Sequence, residues 1–144
     1  MIDGDELERS YKHHLSDYAE WEQRDHASNW MLIEDNLGEN LSIDETMLQE
    51  DLVTILSNKA GHCKQGSVIS IVRGTKAEDV IEVLMKIPEE ARLAVKEVTM
   101  DLSSSMRAIV STVFPNATIV LDCFHVLKRC HDAIEEVRLH LKRD

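Results

Sequence analysis

Two aspartates stand at the polar ends of short apolar runs that lie far apart in the chain. Asp44 follows Leu41-Ser42-Ile43, and Asp101 follows Val98-Thr99-Met100. In an α/β protein the strand ends meet along one crevice, so side chains 57 positions apart (101 minus 44) can converge. Carboxylates are ligands that Mg²⁺ prefers, and paired ions held in this way support in-line displacement at phosphorus. The two aspartates therefore predict a divalent-metal site.

Each aspartate also has a simpler interpretation. An aspartate at the end of a strand is often a turn former or the N-cap of the helix that follows. Two aspartates in register on strands predicted to be neighbours favour the metal site over two unrelated caps. Glu45 adjoins Asp44, but alternation in an extended strand points it to the opposite face. We expect Glu45 to be a surface residue or a helix contact rather than a ligand.

A third polar group lies near the C-terminus. Asp122 and His125 follow another apolar run, and the pair can be an aspartate near a helix start with a half-buried histidine. A zinc site is the other alternative. The spacing of the nearby cysteines and histidines matches no structural-zinc pattern, however, and these residues are Cys123, His125, Cys130 and His131.

The elements that must position these residues follow from the periodicity of the apolar residues. Alternation and β-branched content predict five strands, at 41–48, 52–57, 68–72, 95–101 and 118–122. Apolar spacings of three and four predict three helices between and after the last strands, the first two ending before Pro88 and Pro115. The order βββαβαβα is that of an α/β ribonuclease-H-like fold, a mixed five-stranded sheet flanked by helices. Its first and fourth strands lie side by side at the centre of the sheet, which would bring Asp44 and Asp101 together.

The first forty residues differ from the rest of the chain. Residues 1–50 hold 14 acidic and 3 basic side chains, whereas residues 51–144 hold 13 of each. Turn residues at 36–38 mark a boundary. We therefore predict an extra N-terminal arm, 1–40, that is acidic and helical, in front of a core at 41–144. Helical spacing of five apolar residues predicts a helix over 5–30 in the arm: Leu7, Tyr11, Leu15, Tyr18 and Trp21.

The composition argues against several classes of protein. A net charge of −11 with no basic face is unlike a domain that holds nucleic acid by itself, and 4% aromatic residues offer little stacking for single strands. No apolar run reaches the roughly 20 residues of a membrane helix, and the N-terminus lacks the pattern of a signal peptide. Three cysteines without a CxxC pair predict free thiols in a reducing compartment. We expect a soluble, intracellular protein with no membrane partner.

Several motifs, taken in order, resemble the ISL3 family of insertion-sequence transposases. The resemblance covers about residues 20–144 and implies a DDE triad on a ribonuclease-H-like domain that works with two magnesium ions. It implies that Asp44 and Asp101 are the first and second catalytic acids and ligate Mg²⁺ or Mn²⁺. Asp122 and His125 match the Asp-x-x-His signature of several DDE groups, in a supporting role. The motifs are Ser42-Ile43-Asp44-Glu45, Gly74-Thr75-Lys76-Ala77, Val98-Thr99-Met100-Asp101-Leu102-Ser103, Phe114-Pro115-Asn116-Ala117 and Asp122-Cys123-Phe124-His125-Val126.

The resemblance also implies partners and a departure from the family. In the full-length protein the partners are transposon ends and target DNA, in the bacterial cytoplasm and at the nucleoid during the reaction, and a homodimer is left open. The family's third acid, a glutamate on a helix well beyond the fifth strand, has no counterpart, because Glu135 and Glu136 come too early. The family's zinc-finger and helix-turn-helix parts are absent too. We expect a catalytic-core fragment truncated before the third acid, which binds Mg²⁺ or Mn²⁺ weakly and does not cleave DNA alone.

Two other classes remain as alternatives. A haloacid-dehalogenase-like phosphohydrolase also uses a strand-end aspartate with magnesium, but it needs a second acid two residues later, where this chain has Thr46. A non-catalytic interaction module is the stronger alternative. In that case the acidic arm would dock on a basic DNA-binding domain of a transposase, and raising the salt concentration would weaken the complex.

Overall fold

A computed structural model describes residues 3–61 and 64–142. The strands are β1 (Trp30–Leu32), β2 (Asn40–Leu48), β3 (Asp51–Asn58), β4 (Val68–Arg73), β5 (Glu97–Met100) and β6 (Thr118–Leu121). The α-helices are α1 (Gly4–Ser10), α2 (Ala77–Leu84), α3 (Glu89–Leu93), α4 (Ser104–Val113) and α5 (Cys123–Leu141). Within these described ranges, no helix combines the length and the apolar character that crossing a bilayer requires.

All six strands form one mixed sheet in the order β1-β4-β3-β2-β5-β6. Strands β2, β3 and β4 pair antiparallel, whereas β5 runs parallel to β2 and β6 parallel to β5. The parallel crossovers carry the helices, as parallel pairing requires. The ribonuclease-H-like arrangement predicted from the sequence is confirmed, with the first and fourth predicted strands (β2 and β5) side by side at the centre of the sheet.

The core lies between one face of the sheet and the helices α2 and α4. Both helices end before a proline, as predicted, and α4 begins with Ser103, whose hydroxyl accepts a hydrogen bond from the backbone N–H of Met106 (3.4 Å). The least exposed large side chains of this layer come from both the strands and the helices: Phe114, Leu41, Ile43, Leu56, Ile69, Leu84, Ile87, Met106 and Ile109.

One arginine is buried at the edge of this core. Arg92, on α3, is 8% exposed. Its Nε donates to the carbonyl of Ile87 (3.0 Å), and its Nη1 donates to the carbonyl of Val113 (3.1 Å). The carbonyl of Ile87 lies just after the end of α2, and the carbonyl of Val113 belongs to the last residue of α4. Backbone carbonyls at helix ends lack hydrogen-bond partners within the helix. The guanidinium therefore connects the ends of the two core helices.

The helix predicted over residues 5–30 is wrong beyond its first turns. The α-helix ends at Ser10, a π-helical turn spans Tyr11–Leu15, a 3-10 turn spans Asp17–Glu20, and β1 begins at Trp30. The leading apolar residues of the arm, Leu7, Tyr11 and Leu15, stay exposed and find no surface that would stabilise a long helix, whereas Tyr18 and Trp21 are half-buried. Residues 30–32 instead pair with β4, so the sheet has six strands rather than five.

Side chains of the arm contact the outer edge and the Trp30 ring of β1. The side-chain amide of Gln23 accepts from the N–H of Leu32 (2.7 Å) and donates to its carbonyl (2.6 Å), which occupies the free edge of the strand. The ring of His26 stacks on Trp30 at 3.5 Å, and the Lys86 ammonium lies 5.3 Å from the centre of the same indole ring. This strand is part of the core sheet, and the predicted domain boundary near residue 40 stays a prediction.

Candidate metal centre at the ends of the central strands

The register between β2 and β5 determines where the two aspartates lie. Asn40 pairs with Glu97 and Ser42 with Thr99, a constant offset of 57 (97 minus 40). Continued for two residues beyond the last ladder pair, the same offset would set Asp44 opposite Asp101, which directly follows the last residue of β5. Asp44 has the parity of Ser42 on β2 and so leaves the buried layer. The two predicted acids therefore follow the paired segment of the central strands at the same end.

Each aspartate also makes a local hydrogen bond. Asp44 is exposed, and its Oδ1 accepts from the N–H of Glu45 (2.9 Å). Asp101 is half-buried, and its Oδ1 accepts from the N–H of Ser103 (2.8 Å) in the turn that leads into α4. The turn-forming interpretation is therefore correct for Asp101. The bond uses one of its two carboxylate oxygens, so it does not conflict with a role as ligand.

Glu45 is the acid whose environment the sequence did not reveal. It lies on the opposite side of β2 from Asp44, as alternation predicts, but it is half-buried and pairs across the sheet with the buried Thr54. Burial raises the pKa of the Glu45 carboxyl, and the negative charges of Asp101 and then Asp44 raise it further. The sequence did contain a signal for this partial burial, because Glu45 continues the alternation of the buried Leu41 and Ile43.

These carboxylates fit a hard divalent cation. Asp44, Glu45 and Asp101 concentrate negative charge at one strand end, and carboxylate oxygens are the donors that Mg²⁺ and Mn²⁺ prefer. A cation there would relieve the repulsion that adds to the effect of burial in raising the pKa of Glu45. In residues 3–61 and 64–142, no group of three or more His, Cys, Asp or Glu side chains is arranged so that it could hold a metal ion. A cation at this end would therefore take at most two of these carboxylates, with water or substrate in the other positions.

The raised pKa of Glu45 makes stability depend on pH with a definite sign. The folded state holds this proton more tightly than the unfolded state. The free energy of unfolding therefore falls as pH rises from the ordinary glutamate pKa of 4.5 through the raised folded pKa. We expect Glu45→Gln to remove this fall, so that the variant gains stability over the wild type as the pH increases. Urea unfolding in EDTA between about pH 4 and pH 8 measures it.

A matched control separates this effect from general charge removal. Glu82→Gln removes an exposed carboxylate from α2 and is expected to follow the wild-type pH dependence. Equal pH dependence in Glu45→Gln and the wild type would contradict the assignment.

Asp122 and His125 lie at the start of α5. Asp122 is the N-cap, since its Oδ1 accepts from the N–H of Phe124 (2.9 Å) and its Oδ2 lies 3.1 Å from Nδ1 of His125. That backbone hydrogen bond, together with His125, lowers the pKa of Asp122. The N–H of Asp122 donates to the carbonyl of Met100 (2.8 Å), which holds the beginning of α5 beside the end of β5.

A cavity of about 400 Å³ separates this helix from the candidate metal centre. It is lined by Asp101 and by residues on the first turns of α5. Three of these residues were not predicted from the sequence: Lys128, Arg129 and Asp132. The signal for them was their helical spacing from His125. The complete lining is Asp101, Leu102, His125, Lys128, Arg129 and Asp132.

The cysteines near the cavity are free. Cys123 and Cys130 carry exposed thiols, as predicted, and Cys63 lies outside the described residues.

Comparisons with known proteins identify the family. The family model described as transposase, for DDE transposases of the ISL3 group, matches residues 41–144, more than half of the chain. No curated protein matches significantly. Among solved structures, the chain is similar to the catalytic core domain of BIV integrase, with 13% identity and a TM-score of 0.45 over 65% of this chain. The match spans 64% of that integrase chain. The chain belongs to the ISL3 family of DDE transposases.

Proposed function

We propose that this chain supplies the first two catalytic carboxylates of a DNA transposase. The observation that carries the proposal is the parallel register of β2 and β5, which pairs Ser42 with Thr99 and would, two residues further on, set Asp44 opposite Asp101. The raised pKa of Glu45 supports it in part: burial is the main cause, and the negative charges of Asp101 and then Asp44 add to it. The partners would be transposon ends and target DNA.

The side chains at the site have separate roles in this proposal. Asp44 and Asp101 would hold Mg²⁺ or Mn²⁺, which would supply activation of the attacking group and charge stabilisation of the leaving oxygen in phosphodiester hydrolysis and strand transfer. Asp101 is oriented by its bond to the N–H of Ser103. Asp122 accepts the Nδ1 proton of His125, which fixes the imidazole ring at the cavity wall and leaves Nε2 as its second polar atom.

The third acid of the triad is not assigned to this chain. Glu135 and Glu136 are exposed on α5, and Glu135 pairs with Arg138 at 2.8 Å. A two-carboxylate set leaves most of the coordination to water and substrate. We therefore propose that the chain binds divalent cations weakly and does not cleave DNA by itself.

Binding of Mn²⁺ tests the site without relying on activity. We expect the Asp44→Asn/Asp101→Asn double variant to lose at least about tenfold in Mn²⁺ affinity, because two charged oxygen ligands become neutral. Asparagine keeps an acceptor for the Ser103 N–H, so the turn is preserved. Electron paramagnetic resonance of free Mn²⁺ during a titration gives the affinity.

The control carries the same change at two exposed aspartates, Asp17→Asn/Asp79→Asn. If both double variants bind Mn²⁺ as the wild type does, the proposed site is refuted. Nicking of a supercoiled plasmid is a second readout, for which we expect no product. Mn²⁺-dependent nicking that is lost in Asp44→Ala would support the transposase assignment and overturn the inactivity of the isolated chain.

A second candidate function is an interaction module. Residues 1–50, which include the arm, hold 14 acidic and 3 basic side chains, and this excess of negative charge favours docking on a basic DNA-binding domain of a transposase. Measuring the affinity of the chain for such a domain at rising salt concentration tests it. An affinity that does not change with ionic strength would count against electrostatic docking.

A further inference from the structure

Helix α5 directs a polar face at the candidate metal centre. His125, Lys128, Arg129 and Asp132 are separated by three, one and three residues, so they share one side of the helix. All four line the cavity that also contains Asp101. The contacts at the helix start determine this orientation, because Asp122 caps the helix and its N–H binds the end of β5.

The apolar stripe of α5 faces away from that cavity. An amphipathic helix on a globular protein ordinarily turns its apolar side toward the core. Here the stripe remains exposed, and no residue of α5 between Cys123 and Leu141 is buried. The polar side of α5 therefore faces the cavity, although burial of the apolar stripe would favour the opposite orientation, with the stripe turned toward the protein. The exposed stripe residues are Leu127 (55%), Ile134 (65%), Val137 (60%) and Leu141 (74%).

Two positive charges on the inward face suit an anion. Lys128 and Arg129 form no ion pair with any residue in the ranges 3–61 and 64–142. They line the cavity beside Asp101, in the part of the chain, residues 51–144, that holds 13 acidic and 13 basic side chains. Arginine binds phosphate through paired N–H donors, and lysine adds a compact charge. The cations also offset the repulsion that Asp101 and Asp132 would exert on a DNA strand.

We propose that Lys128 and Arg129 bind a backbone phosphate of the DNA strand and so position it beside Asp101. The inference rests on the proposed function, since it names how the substrate is held at that site. Phosphate contacts of this kind position a strand without reading its sequence.

The test is DNA binding in EDTA, which excludes any contribution of a metal ion. Fluorescence anisotropy with a labelled duplex is measured at several salt concentrations for the wild type and for Lys128→Gln/Arg129→Gln. We expect the variant to lose about tenfold or more in affinity at low salt. Its slope of log affinity against log salt should fall by about 0.9, because the contact to one phosphate is removed.

The control, Lys64→Gln/Lys142→Gln, removes two charges at exposed positions outside the cavity lining. We expect it to bind DNA within about twofold of the wild type with an unchanged salt slope. Equal losses in both variants would overturn the proposal, because net charge would explain them. No measurable wild-type binding, or no loss in Lys128→Gln/Arg129→Gln, would also overturn it.

Mn²⁺ titrations of the same samples separate this inference from the proposed function. Lys128→Gln/Arg129→Gln is expected to keep the Mn²⁺ affinity of the wild type. The two proposals can fail separately. If Lys128→Gln/Arg129→Gln loses DNA binding while Asp44→Asn/Asp101→Asn keeps the Mn²⁺ affinity of the wild type, the metal site is refuted and the phosphate site is supported.

Discussion

Replacing Leu41 with alanine is expected to lower the free energy of unfolding by about 3 kcal/mol and to weaken Mn²⁺ binding as well. Leu41 and Val98 are fully buried and face each other in the parallel ladder of β2 and β5. Truncating Leu41 leaves a cavity at the pair that holds this register. Asp44 and Asp101 both follow this paired segment, so we expect looser packing to increase the spread of distances between the two carboxylates.

Urea unfolding measures the first effect, and an Mn²⁺ titration of the folded variant measures the second. Leu52→Ala is the matched control, because Leu52 is 42% exposed on β3. We expect it to cost less than about 1 kcal/mol and to leave Mn²⁺ affinity unchanged. If Leu41→Ala is destabilised while its Mn²⁺ affinity equals that of the wild type, the strand register is not what assembles the site.

Replacing Arg92 with methionine is expected to lower the free energy of unfolding by about 3 kcal/mol, although the aliphatic volume is largely kept. The reason is the two carbonyls, of Ile87 and Val113, that Arg92 satisfies in a buried place. Without the guanidinium these acceptors lose a charged donor where water has little access. Urea unfolding at neutral pH measures the loss.

Arg92→Lys refines the test, because an ammonium group lacks the planar fork that reaches both carbonyls. We expect an intermediate loss for the lysine variant. The control is Arg138→Met on α5, which removes an exposed ion pair with Glu135 and is expected to cost less than about 1 kcal/mol. Losses of similar size in Arg92→Met and Arg138→Met would rule out the buried bonds as the cause.

The elements that the sequence predicted well are those with strong local signals. Alternation around Ile43 and Val98, and the prolines at 88 and 115, predicted the central strands and the ends of α2 and α4. The helix predicted over residues 5–30 is wrong because helical spacing of apolar residues does not say which surface they would pack against. Its three leading apolar residues found no surface to cover, whereas residues 30–32 found the free edge of β4.

The sequence by itself determined which acids stand at the ends of the two central strands and, through the order of the elements, that these strands are neighbours. It places Asp44 and Asp101 at equivalent points of two buried strands, and strand alternation is a property of the local backbone. Only the tertiary structure decided that residues 30–32 join the sheet, that the charges of both aspartates act on Glu45, and that Lys128 and Arg129 line a cavity with Asp101. Distances through space and the loss of water around a charge depend on which elements pack together, and no local pattern contains that information.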